Sequence, residues 1–464
     1  MPLLPLLPLL PLVVHPSSDS IIAWCGNGSV TRQQFLADVS QLAASLLPGR
    51  HLLNACGDRY RFSVGLAAAI VAGKVSLLPP AHTTEMVRQL KTFAPDVFCL
   101  TDNDDCTLDM PQLRYPIMSP NENTTFVVPQ IDPNQLIAIV FTSGSTGAPS
   151  PHLKTWGALI SSVQAEAFRL GLLDNALPCT LIGTVPPQHM YGFESTVLMA
   201  WQSGHALSHA QPFYPADICR ALANARTPRV LVSSPVHLRA LMDAELAMPE
   251  IACVVSATAP LSLTLAQAIE ARWQAPLMEI YGSTETGLIA TRRATQNLQW
   301  QLLPGIKLVV DGDNTYACGG HIVTQIAMND IIEPLTAEFF LLHGRLSDLV
   351  NIAGKRHSLT SLNYLLNTIP GVVDGVFYMP DENDARVISH ASHTSQVTRL
   401  AACVVAPGVT STQLLAALRE HIDVVFLPRP LLFVDVLPRN DTGKLPRAAL
   451  QALFQPAQIS RKSA

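Results

Sequence analysis

Charge is what this sequence has least of. Asp, Glu, Lys and Arg make up only 14% of its 464 residues, and the formal net charge is −5. Without a basic excess there is no electrostatic footprint for a phosphate backbone, so nucleic acid is excluded as a main partner. The nine cysteines include no Cys-x-x-Cys pair and no metal-ligand spacing. An odd, unpatterned set reads as buried thiols in a reducing compartment, and a cytoplasmic location is expected. Beyond the N-terminus, the longest uncharged apolar stretch runs from Phe62 to Gly73, too short to cross a bilayer. The first residues, Met1 to Pro11, are apolar like a secretion signal but lack its charged start, and a proline every third residue forbids a helix. Polyproline II has three residues per turn, so these prolines share one edge and predict an extended arm on the surface.

Hydrophobic residues are plentiful at 48%, enough to build two or three domains. Thr31 and Gln34 form a capping-box pattern, with Phe35, Val39, Leu42 and Leu46 on one helical face. Short apolar runs then alternate with helical stretches. Leu52–Cys56 precedes a Phe62–Gly73 helix, Val75–Leu78 follows it, and a helix from Thr84 leads to Asp96–Leu100. The rhythm resumes at Thr180–Gly183, Arg229–Val232 and Ile251–Val255. Repeated βαβ units predict parallel sheets covered on both faces, with ligands beyond the carboxyl ends of the strands. Pro186–His189, Ser233–Pro235 and Ser256–Pro260 are therefore expected to line a crevice. After residue 300, short β runs and an Asp311-Gly312-Asp313-Asn314 turn predict antiparallel structure.

The centre of the chain is Phe141-Thr142-Ser143-Gly144-Ser145-Thr146-Gly147-Ala148-Pro149, fed by the strand-like Leu136–Val140. Its glycines and hydroxyls can present N–H and O–H groups to phosphate oxygens. The Gly-Lys-Ser/Thr ending of a Walker A loop is missing. Tyr281-Gly282-Ser283-Thr284-Glu285-Thr286-Gly287 sets one carboxylate among hydroxyls in a Gly-bounded loop, a way to hold Mg²⁺ beside phosphate. Asp330, the Gly344–Asp348 and Asn351–Arg356 stretches, and Leu437–Leu445 with Lys444 on a Gly turn complete the set.

In this order, the motifs resemble the adenylate-forming superfamily of acyl-CoA synthetases, peptide-synthetase adenylation domains and luciferases, from about Thr31 to the C-terminus. The resemblance implies an α/β fold. A large N-terminal domain (1–345) would carry mostly parallel sheets and a β-rich portion, and a small α+β lid (346–464) would follow a hinge just after Arg345. It implies ATP and Mg²⁺, with Thr142, Ser143, Gly144, Ser145, Thr146 and Gly147 cradling the β and γ phosphates. Thr284 would meet the α-phosphate and Glu285 the metal. Ser256 to Pro260, with Ala257 and Thr258, and Tyr281 would flank the adenine, Gly282 and Ser283 would also bind ATP, and Asp330 and Arg345 would hold the ribose. Lys444 would bridge the acid and the α-phosphate. His189 would orient the acid or gate its pocket, unless it is a core histidine. Gly354 and Arg356 belong to the lid side that approaches phosphate or the acceptor.

The sequence departs from the pattern at Ser150, where the glycine loop usually continues with lysine. Lys154 lies four residues on, as a substitute or as an exposed helix-start lysine. Ser347 stands where a hinge carboxylate or lysine is usual, and Met328-Asn329 replaces the Thr-Gly before Asp330. The segment around His189 offers no aspartate for an α-amino group, and its apolar and aromatic residues suit an aryl or medium apolar acid. The reading is an ATP-dependent acid–thiol ligase that makes an acyl-adenylate and transfers it to coenzyme A or a holo acyl carrier protein. The Pro149–Trp156 continuation resembles the aryl-acid ligases of aryl-polyene and xanthomonadin-type clusters, which implies a carrier protein. A fatty acyl-CoA synthetase and a non-catalytic acyl- or nucleotide-binding member remain open.

Overall fold

The structure is a computed structural model that describes residues 8–26, 28–118, 126–143, 149–173, 177–312, 314–345, 349–352, 355–380, 400–439 and 445–454. It divides into two compact units. One comprises Met1–Ala257, Ile269–Val309 and Tyr316–Ile326; the other comprises Thr258–Ala268, Val310–Thr315 and Ala327–Ala464.

Two sheets build the first unit. In one the order is Pro149–Thr155, Leu136–Ser143, Val75–Leu78, His51–Asn54, Phe98–Thr101, Gln112–Arg114. All neighbours are parallel except the first pair, an antiparallel hairpin closed by the glycine loop. The other runs Trp300–Leu302, Gly287–Arg292, Leu277–Ser283, Cys253–Ser256, Arg229–Ser233, Thr180–Gly183, Ala206–Ser208, Ile21–Cys25, Gly28–Thr31. Its middle is parallel and its outer pairs are antiparallel. Every residue of Val75–Leu78, Phe98–Thr101, Thr180–Gly183 and Cys253–Ser256 is buried, as strands covered on both faces must be.

The helices form where the sequence places them. Arg32–Ser45 opens on the Thr31–Gln34 capping box, and Thr84–Phe93 is capped by Thr83. Arg59–Val71 starts three residues before the expected Phe62 because the Asp58 carboxylate accepts from the Arg61 N–H and caps the helix. Of the expected surface arm Met1–Pro11, residues 8–11 are described: Pro8 and Leu9 are exposed and Leu10–Pro11 is extended. Leu10–Pro11 pairs with Gln130–Ile131, and Leu12, Val13 and His15 are buried, so the segment leaves the surface once its proline period ends.

In the second unit, Asp330–Pro334 and Phe339–Arg345 form an antiparallel hairpin, and so do Leu349–Ile352 and Lys355–Ser358. The helix Leu359–Thr368 and a three-stranded sheet of Asp374–Tyr378, Ala401–Val405 and Leu431–Phe433 follow. Leu362, Leu366, Phe377, Leu400, Leu414 and Leu418 fill its core. This is the α+β texture expected of the C-terminal part. Among the described residues, no helix is long and apolar enough to cross a membrane.

Candidate active site

The glycine loop links two antiparallel strands in tight register, with Pro149 opposite Ser143 and Ser150 opposite Thr142. Gly144, Ser145, Thr146 and Gly147 lie outside the described residues. The Pro149–Thr155 strand alternates faces, so Ser150, His152 and Lys154 share one. His152 Nε2 is 2.9 Å from Thr142 Oγ1 and 3.7 Å from Glu285 Oε1. Burial holds the His152 pKa below its usual value, although Glu285 opposes the shift, so the ring is neutral at physiological pH.

Residues 281–287 are a hairpin rather than an open loop. Tyr281, Gly282 and Ser283 continue the Leu277–Ser283 strand, Ser283 faces Gly287, and only Thr284, Glu285 and Thr286 make the turn. Gly282 is required: a Cβ there would stand 2.2 Å from the Gly287 carbonyl oxygen. Thr286 N–H donates to Ser283 Oγ, and Ser283 N–H donates to Thr286 Oγ1, which locks the turn. Partial burial pushes the Glu285 carboxyl up. Hydrogen bonds from its own backbone N–H and from Ser283, with His152 and Lys154 nearby, outweigh that and hold it below the ordinary range. It stays a carboxylate, with 39% of its side chain accessible. One exposed anionic oxygen donor suits a hard cation bound mainly by phosphate and water. No cluster of three metal-ligating side chains exists among the described residues.

Lys154 contradicts the expectation of an exposed lysine. It is 8% exposed, and its Nζ donates to the Thr284 carbonyl at 2.6 Å. Beneath the same turn, His321 Nε2 donates to the Thr286 carbonyl at 2.9 Å. Burial pushes the His321 pKa down to about 4, so its neutral ring carries the proton on Nε2. Glu194 is fully buried in a π-helical turn, Phe193–Leu198. Burial pushes its carboxyl up to about 7 against the pull of the Lys154 ammonium. Sequence reasoning passed over His152, Glu194 and His321. The alternation of the Pro149–Thr155 strand could have found His152; no local pattern points to the other two.

The remaining predicted residues fall in three groups. Ser256, Ala257 and Thr258 end the Cys253–Ser256 strand, with Ser256 and Ala257 buried. Thr258 sits at φ +81°, a strained conformation for a β-branched residue. Tyr281 packs on Trp300 at 5.5 Å between ring centroids. His189 is half-buried at the start of the short Met190–Gly192 helix, not in the core. Arg59, fully buried, donates to the Gly183 and Val185 carbonyls and to Thr196 Oγ1, fixing the chain that leads to His189. In the second unit, register sets Asp330 directly opposite Arg345, which brings together the two residues predicted for one role. Arg356 stands opposite Asn351 in its hairpin. Gly354 and Lys444 lie outside the described residues.

A hydroxyl-bearing hairpin and an anionic turn thus meet in a fold of the α/β class. Residues 14–317 match the AMP-binding enzyme family, and the chain belongs to it. Among its relatives, a 4-coumarate–CoA ligase of Rhodobacter capsulatus is 30% identical over 51% of this chain and 58% of its own length. A 2-succinylbenzoate–CoA ligase of Bacillus cereus is 24% identical over 94% of this chain and 92% of its own. The fold is shared with ATP-bound MatB from Rhodopseudomonas palustris, at a TM-score of 0.78 and 17% identity over 96% of this chain and 98% of that one. It is also shared with the O-succinylbenzoate coenzyme A synthetase MenE of Bacillus subtilis, in complex with ATP and magnesium ion. That TM-score is 0.77, at 18% identity over 93% and 97% of the two chains.

Proposed function

We infer that this protein is an AMP-forming acid–thiol ligase acting on an aryl carboxylic acid. The observation that carries the reading is the convergence of Thr142, His152 and the Glu285 carboxylate beside the glycine loop. Membership of the AMP-binding enzyme family supports it, and so do relatives named for 4-coumarate and 2-succinylbenzoate.

In the first step a carboxylate oxygen of the acid attacks the α-phosphorus of ATP. The bond to the β-phosphate oxygen breaks, and pyrophosphate leaves with its electrons. Residues 142–147 cradle the β and γ phosphates, Thr284 donates to the α-phosphate, and Lys444 holds the acid against it. Bound Mg²⁺ would neutralise the polyphosphate, with Glu285 as its protein ligand. Ser256, Ala257, Thr258 and Tyr281 bound the adenine site, Gly282 and Ser283 also bind ATP, Asp330 and Arg345 take the ribose, and His189 orients the acid. In the second step a pantetheine thiolate attacks the acyl carbon and AMP leaves. Residues 346–464 act as the lid that excludes water and then exposes the acyl-adenylate to the thiol, with Gly354 and Arg356 on its facing side. The acceptor is coenzyme A, as the relatives' names support, or a holo acyl carrier protein, as the Pro149–Trp156 resemblance implies. Nine free cysteines fit a reducing, cytoplasmic setting.

The test is ATP–pyrophosphate exchange across aryl, fatty and amino acids, with Lys444→Ala as control. Exchange driven by an aryl acid and lost in the variant is expected; exchange with fatty acids alone would make it a fatty acyl ligase. Comparing holo carrier protein with coenzyme A then decides the acceptor.

A further inference from the structure

The underside of the Thr284–Glu285 turn holds charged groups that the reaction above does not use. Lys154 has no place on the surface: its ammonium is buried and its Nζ lies 2.6 Å from the Thr284 carbonyl and 3.5 Å from that of Glu285. Burying a cation is costly unless it is paired and hydrogen-bonded. The hydrogen bonds are those two carbonyls. A buried carboxyl group, Glu194, lies under the same turn, its Oε1 3.4 Å from where a Cβ on Gly287 would stand, and its charge favours the ammonium form of Lys154. Glu194 lies in a π-helical turn, a distortion that recurs at functional sites. Neither Glu194 oxygen has a hydrogen-bond partner, and the Ser162 hydroxyl lies beside it. The strand that carries Lys154 also carries Ser150, where the phosphate-side lysine is missing, and His152, which touches Thr142 and Glu285 on that face.

We propose that Lys154, with Glu194 as its buried counter-charge, is the positioning residue that fixes the Thr284–Glu285 turn for ATP and its metal. An ammonium that binds two consecutive carbonyls sets both peptide planes, and with them the directions of the Thr284 and Glu285 side chains. The chain thus uses its lysine from beneath the turn rather than at the phosphates. This inference rests on the reading of Thr284 and Glu285 as ATP and Mg²⁺ residues.

The test compares wild type, Lys154→Met and Glu194→Gln by hydrogen exchange over Ser283–Gly287 and by calorimetric titration with Mg²⁺ATP. In folded Lys154→Met, exchange in the turn is expected to quicken and the dissociation constant to rise about tenfold, the weight of a lost charged hydrogen bond. The KM for the acid should stay within about twofold, as expected for loss of an interaction confined to one substrate. Glu194→Gln should shift both readouts in the same direction, less strongly, and decides the matter if Lys154→Met does not fold. An unchanged turn, or a loosened turn with unchanged Mg²⁺ATP affinity, overturns the proposal. Wild type that binds no Mg²⁺ATP would instead remove the functional reading beneath it.

Discussion

His15 shows how this protein uses ionisable residues in its interior. Its Nε2 donates to the His205 carbonyl, Nδ1 has no partner, and burial pushes its pKa down to about 4 from 6.5. The folded protein therefore holds it neutral, while the unfolded chain takes up a proton near pH 6.5. Its contribution to stability is complete above that pH and is lost as pH falls toward 4. Between pH 7.5 and 5 the loss from this residue comes to about 2 kcal/mol. His15→Asn keeps a donor but cannot titrate, so urea unfolding of the variant should show a correspondingly smaller acid loss. An equal loss in both proteins would refute the assignment. Lys154 and Glu194 follow a different rule: burial lowers the lysine's pKa and pushes the glutamate's up to about 7, and the charge of each opposes the other's shift.

Among the elements, the hairpin Leu277–Ser283/Gly287–Arg292 tolerates no side chain at Gly282. Gly282→Ala would place a methyl carbon 2.2 Å from the Gly287 carbonyl oxygen, so the strands must part. With Thr284 and Glu285 displaced by about an ångström, pyrophosphate exchange should fall about a hundredfold while global unfolding changes little. Exchange at the wild-type rate would show that the turn's geometry does not matter. Elements of this kind were legible in the sequence wherever one local signal decides them. The capping box at Thr31, the buried strand Thr180–Gly183 and the strand from Leu136 are examples, since period and capping chemistry act over a few residues. The hairpin at 281–287 was misread as an open loop because its closure depends on a partner strand. The burial of Lys154 was illegible for a related reason, since Thr284 and Glu194 are distant in sequence. Asp330 shows the converse: its preceding residues departed from the family pattern, yet register sets it opposite Arg345.

On the scale of the whole molecule, binding and stability are linked. Mg²⁺ATP at a hundredfold excess over its dissociation constant should stabilise the protein by about 2.7 kcal/mol. EDTA should abolish most of the gain if, as proposed, Glu285 offers its carboxylate to the metal rather than to ATP. A thermal shift insensitive to EDTA would count against the metal role of Glu285.

The N-terminal arm has a different consequence, for the order in which the chain folds. Val14 N–H donates to the Trp201 carbonyl, Gln202 donates to the Pro11 and Leu12 carbonyls, and His15 donates to that of His205. All three anchors are made some 190 residues after the arm. At ribosomal speeds of about 5–20 residues per second, the arm waits roughly 10–40 seconds for its seat. The pairing with Gln130–Ile131 can form first, and the anchors around Trp201 and His205 close later. The arm is thus among the later segments to close, and Pro11, which has no N–H to give a helix, keeps it extended until the partner appears.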